Sequence, residues 1–149
     1  MRTPASIAGH PIHPMLVPIP IGLWIFSLVC DLIAAGGSAN PAWQTVALYT
    51  MGGGIVGALL AAVFGLIDLL SLPPGPRRTA LTHMAINLVV VALFLVNFWM
   101  RYGSTSQGSA PLWLSIVAIG LLVISGWLGG KMVYEHGIGV STPTDTVRR

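Results

Sequence analysis

The sequence predicts an all-α integral membrane protein, an up-down bundle of four transmembrane helices with both termini in the cytoplasm. Three observations predict it. Only 7% of the 149 residues are charged while 54% are hydrophobic, and mean hydropathy is +0.82. Four apolar runs of about 20 residues or more reach membrane-spanning length. Short connections rich in Gly, Pro and Ser separate them and force antiparallel neighbours. A soluble domain draws about a quarter of its residues from Asp, Glu, Lys and Arg, so an ordinary cytosolic enzyme is excluded, as is a disordered chain. The net charge is +3, but the seven cations form no basic stripe interleaved with aromatics, so nucleic acid is not an expected partner. The single cysteine, Cys30, rules out a disulfide framework or a Cys-based zinc site within one chain.

The first span, Met15–Ala35, follows His10-Pro11-Ile12-His13-Pro14. A residue before proline is held extended, so both imidazoles are expected outside the helix. Pro18 and Pro20 then start the helix late or kink it, leaving a stiff segment able to fold over the bundle mouth. The second span, Trp43–Leu70, carries Gly53, Gly57, Ala61 and Gly65 at four-residue spacing, a ridge for close helix approach. Asp68 extends that ridge and is expected to point into the bundle. On the third span, Ala80–Met100 with Arg101 just beyond, steps of 100° bring His83, Asn87, Val90, Phe94, Asn97 and Arg101 within about 40° of one direction. Polar groups in a span face protein or water, so this stripe faces inward. The fourth, Leu112–Tyr134, offers Ser115, Ser125, Gly126 and Gly130 for packing. Residues 36–41, 71–76 and 103–109 are the connections. The transmembrane domain is expected over residues 1–136, and the polar tail 137–149 is expected to have no fixed structure.

Lys and Arg are retained on the cytoplasmic side. Arg2, Arg77, Arg78, Lys131, Arg148 and Arg149 share one side in this topology, and only Arg101 falls on the other. A secretory signal ending at Ala34-Ala35-Gly36 is the rival reading, but the first run exceeds the roughly 7 to 15 residues of a signal core.

The same topology sets all four histidines, His10, His13, His83 and His136, on the cytoplasmic face with Asp68, Lys131 and Glu135. Two opposed imidazoles can ligate a haem iron, with Arg77 or Arg78 on its propionates. Three or four of His10, His13, Asp68, His83, Glu135 and His136 can instead hold zinc, copper or non-haem iron. Without metal, His83 and Asp68 can relay protons. Spacing selects none of these, and there is a bland reading beside each: asparagines as interhelical glue, and histidines among lipid headgroups. The sequence has no His-Glu-x-x-His, Cys-x-x-Cys-His, nucleophile elbow or phosphate loop, so a familiar hydrolytic or nucleotide-dependent enzyme is not expected.

Gly9-His10-Pro11-Ile12-His13-Pro14 through Gly22, Asp31, Gly65-Leu66-Ile67-Asp68, His83-Met84-Ala85-Ile86-Asn87, and Gly126-Trp127-Leu128-Gly129-Gly130 through Val140 together resemble a bacterial four-helix membrane family known as a domain of unknown function. The resemblance spans nearly the whole chain, with one departure: Pro20 stands beside Pro18 where relatives typically have an aliphatic residue. Some relatives are joined to Rieske iron-sulfur domains, which implies redox chemistry and a Rieske-type membrane redox partner. The expectation is therefore a multi-pass protein of the bacterial inner membrane, a redox-accessory or electron-transfer protein with haem b or a transition metal at its histidines. Two alternatives stand beside it. One is a cofactor-free structural or assembly subunit; the other is a proton-linked transporter around Asp68 and His83, which shows no inverted repeat. Lipid is the expected surrounding, and homo-oligomerisation is left open.

Overall fold

The computed structural model describes residues 3–102 and 108–140. A short β-hairpin, β1 (Ser6–Ile7) with β2 (His10–Pro11), leads into α1 (Ile12–Leu16) and α2 (Pro18–Ala35), followed by α3 (Ala42–Leu70), α4 (Pro74–Tyr102) and α5 (Ala110–Tyr134). Four stretches are long and apolar enough to cross a membrane: Ile12–Ala35, Ala42–Leu70, Pro74–Tyr102 and Ala110–Tyr134. Helices satisfy every backbone group internally, which hydrocarbon demands. Large apolar side chains such as Phe26, Leu59, Val63, Leu88, Val96 and Val123 lie exposed along all four, as lipid-facing sides require.

Two helices begin earlier than the prolines suggest, for one reason. The first turn of a helix leaves its N–H groups without acceptors, so a proline there forfeits no bond. Pro74 and Pro76 occupy the first turn of α4, which therefore starts six residues before Ala80. Pro14 sits likewise in α1, so His13 is helical rather than extended, whereas His10 is extended in β2. Val17 holds helical angles between α1 and α2, its N–H bonded to the His13 carbonyl at 3.1 Å.

α2 packs on α3, α4 on α5, α3 on α4, and α2 on α5, which leaves α2 and α4 on a diagonal whose side chains meet at the centre. There Trp24 stacks on Phe94, ring centres 4.3 Å apart and planes 13° from parallel, with Met51, Ile55, Val90 and Ala118 around them. The Trp24 indole N–H donates to the Met51 carbonyl at 3.3 Å. The glycine ridge of α3 receives α1 and α2. A Cβ at Gly53 would touch Leu23, one at Gly57 would touch Ile19 and Pro20, and one at Gly65 would press on His13. Gly126 and Gly130 of α5 behave differently: among the described residues, nothing from another helix lies within 4 Å of a Cβ built at either.

The hairpin turns at Ala8 and Gly9, with φ of 50° and 81°, the two positive values a two-residue primed turn requires. It lies over the end of α3, where the Ala5 N–H donates to Asp68 Oδ1 at 3.1 Å and the Ile12 N–H donates to the Ala5 carbonyl at 2.9 Å. Ala8 holds a left-handed conformation that costs a residue with a Cβ about 1–2 kcal/mol. Ala8→Gly is therefore expected to stabilise the hairpin by roughly 0.5–1 kcal/mol, read as slower hydrogen exchange at the Ala5 amide. At the other terminus, Gly137 with φ 61° ends α5, its N–H on the Val133 carbonyl and that of Ile138 on Met132. A Cβ at Gly139 would lie 3.3 Å from Pro11, so Gly137–Val140, expected to lack fixed structure, form a turn beside the hairpin. Residues 141–149, with Arg148 and Arg149, lie outside the described residues, as do Arg2 and residues 103–107 of the third connection.

Candidate functional site

His13 comes from α1 and His83 from the first half of α4, and their rings meet at one end of the bundle with centres 6.5 Å apart and planes at 90°. Each ring is fixed by a main-chain carbonyl. His13 Nδ1 lies 2.8 Å from the Ala61 carbonyl of α3, and His83 Nδ1 lies 2.9 Å from the Ser125 carbonyl of α5. A carbonyl only accepts, so both Nδ1 atoms carry a proton. The assignment is closed at His83. The Asn87 amide donates to the His83 carbonyl at 2.9 Å, which identifies its nitrogen, and the same NH2 donates to His83 Nε2 at 3.0 Å. The Ser125 hydroxyl lies a further 2.9 Å from His83 Nδ1.

The residue four positions after each carbonyl is glycine, and at His13 the contact requires it. A Cβ at Gly65 would stand 2.9 Å from His13 Cε1 and Nδ1; one at Gly129 would stand 3.6 Å from His83 Cε1. Glycine on α3 thus opens the groove in which the His13 ring lies, while the His83 ring would stand in ordinary contact with a methyl group on α5.

The other residues expected at the site share this end of the bundle without joining the pair. His10 is exposed, its Nδ1 3.1 Å from the Ala8 carbonyl. His136 is half-buried after α5, and Glu135 is exposed beside Lys131 at 3.6 Å. Asp68 is buried and spends Oδ1 on the Ala5 amide, anchoring the hairpin. Arg77 and Arg78 are exposed in the first turns of α4. Among the described residues no three of His, Cys, Asp and Glu stand close enough to hold a metal ion. The expected metal cluster of His10, His13, Asp68, His83, Glu135 and His136 is therefore not assembled. Glu135 and His136 follow the end of α5 and His10 sits on the hairpin, whereas only α1 and α4 bring imidazoles to the bundle interior.

The opposite end holds a second polar cluster. Arg101 Nη1 and Nη2 form a bidentate pair with Asp31 at 2.5 and 2.7 Å, and Arg101 Nε donates to Asn97 Oδ1 at 2.8 Å. The Asn97 amide donates to the Pro111 carbonyl and the Ser115 hydroxyl, and Ser115 donates to Asp31 at 3.3 Å. The Asp31 and Arg101 side chains are 7% and 15% exposed, so this is a desolvated ion pair with its donors engaged.

The family model described as "Predicted membrane protein (DUF2231)" matches residues 9–142. The chain belongs to the DUF2231 family. No curated protein and no solved structure matches it. The matched stretch runs from the residue before His10 to beyond Val140, so the imidazole pair and the ion pair both lie inside the DUF2231 domain. Asp31 and Ser115 are the residues of this DUF2231 ion-pair cluster that the sequence alone does not single out. An aspartate within an apolar run was the available signal, since a charge in a span needs a partner, and the inward stripe of α4 ended in Arg101.

Proposed function

We propose that this DUF2231 protein is a membrane redox-accessory or electron-transfer protein in which His13 and His83 would hold a b-type haem. One observation carries the reading: two imidazoles on different helices, each with its Nδ1 proton held by a main-chain carbonyl, lie with ring centres 6.5 Å apart. That tautomer and that anchoring are what a ligating histidine requires. The donor set argues for haem over a bare ion. Zinc, copper or non-haem iron needs three or more protein ligands, whereas haem supplies four nitrogens itself and asks the protein for two. Haem iron when bound supplies one-electron chemistry. The chain's own residues do the rest. Ala61 and Ser125 orient the rings, and Asn87 guards the His83 lone pair and must swing aside to release it. Arg77 and Arg78 offer exposed guanidinium groups at the same end for propionates. The cation distribution supports placing this end at the cytoplasmic face of the inner membrane, with a Rieske-type protein as the redox partner to test first.

The experiment is haem stoichiometry in protein purified from haem-supplied cells. Wild type, His10→Ala and His136→Ala are expected to retain one haem per chain, while His13→Ala and His83→Ala lose it. Loss in all four variants alike, or in none, rejects the assignment. A second reading, an assembly subunit, draws on Gly126 and Gly130, where among the described residues no other helix comes within 4 Å of a built Cβ. It predicts a colourless wild-type protein that purifies with another membrane helix.

A further inference from the structure

The two ends and the middle of the bundle obey one rule. His13 meets His83, Trp24 stacks on Phe94, and Asp31 pairs with Arg101. In each contact the second residue is 70 positions after the first. The second helices follow with a different constant offset. His13 bonds the Ala61 carbonyl and His83 that of Ser125; Ser27 donates to the Ala47 carbonyl at 2.8 Å and Asn97 to that of Pro111 at 2.8 Å. Here the partners are 64 positions apart, as are the glycines beneath the two imidazoles, Gly65 and Gly129. The six-residue change lies in the connections, the stretch from Asp31 to Ala47 being six residues longer than that from Arg101 to Pro111.

Burial repeats with the same offsets. Every residue from Pro18 to Val29 is buried, half-buried or exposed as is its counterpart from Leu88 to Trp99. Ala47–Gly65 matches Pro111–Gly129 at all positions except Ile55 and Gly57, which are buried where Ile119 and Leu121 are half-buried. The packing of α3 on α4 is the counterpart of α5 on α2.

We infer that the chain is two copies of one helical hairpin, α1–α2–α3 and α4–α5, docked face to face about a pseudo-twofold axis along the bundle, each being the cognate partner surface of the other. Equivalent residues that touch each other must lie beside a twofold axis, and three such contacts, 11 and then 7 residues apart, trace it from end to end. The axis explains why two of the four histidines meet. His10 and His136 have Ala80 and Leu72 at their counterpart positions, so neither has an imidazole to face. It also gives the ion pair a role in partner choice. Two first hairpins would set Asp31 against Asp31, and two second hairpins Arg101 against Arg101, so only unlike hairpins match. The inference does not depend on a cofactor.

The test uses a compensation between two counterparts at the 64-residue offset. A Cβ at Gly54 would overlap the Trp24 indole, so Gly54 is what admits the tryptophan, and its counterpart beside Phe94 is Ala118. Exchanging the rings alone, Trp24→Phe with Phe94→Trp, is expected to lower the thermal midpoint in detergent by about 5 °C or more. Adding Gly54→Ala and Ala118→Gly is expected to bring it back to within about 2–4 °C of wild type. A four-position variant no more stable than the two-position one overturns the inference. So does a two-position variant as stable as wild type.

Discussion

Arg101→Leu is expected to destabilise the protein by about 3–5 kcal/mol, because it strands the Asp31 carboxylate in a site with 7% of its side chain exposed. The leucine replaces three charge-assisted hydrogen bonds, two to Asp31 and one to Asn97, with none. Destabilisation arises mainly from the unpaired charge. The attraction itself contributes less, since both groups must be stripped of water to form it. The paired variant Asp31→Leu with Arg101→Leu therefore recovers most of the loss, and equilibrium unfolding of the four proteins of this cycle in mixed micelles checks it. A double variant as unstable as Arg101→Leu would show that the surrounding network of Asn97 and Ser115, rather than the charge, sets the stability of this end.

The second large effect is expected at Gly65. Gly65→Ala places a methyl group 2.9 Å from the His13 ring, which cannot retreat while Nδ1 stays on the Ala61 carbonyl. Either the helices part or the ring leaves its carbonyl. The first route costs about 1–3 kcal/mol of stability, and the second removes the group that orients the ligand, an effect of about 10–100-fold on affinity. The counterpart Gly129→Ala is the control within the same chain. Its methyl would sit at 3.6 Å from His83, an ordinary contact, so stability should change by no more than about 0.5 kcal/mol and haem retention should hold. Haem content and thermal midpoint measured on the two alanine variants separate them.

The four spans are legible in the sequence because hydrocarbon permits so little else. An apolar run of this length must be helical, and the glycine spacing on α3 and the polar stripe on α4 mark their inner faces. The site is legible only in outline. Antiparallel topology puts all four histidines at one end, but whether a ring reaches the interior depends on a few residues of local chain. His13 does so because Pro14 is harmless in the first turn of α1, a point that the extended preference of a residue before proline obscures. Asp31 is a lone acid in an apolar run until α4 brings Arg101 beside it. The repeat is concealed for a related reason: residues facing each other across an axis are selected to fit one another, so Asp answers Arg and Trp answers Phe, and of the three facing pairs only the histidines are alike.

The central claim is that His13 and His83 act as one ligand pair, and the spin state of the ferric protein addresses it most directly. Wild-type protein loaded with haem is expected to give a low-spin signal in low-temperature electron paramagnetic resonance, because two imidazoles fill both axial positions. His13→Ala and His83→Ala, reloaded with haem, are expected to lose that signal. A wild-type protein that takes up no haem, or one whose iron is high-spin with one axial position open, would contradict the account.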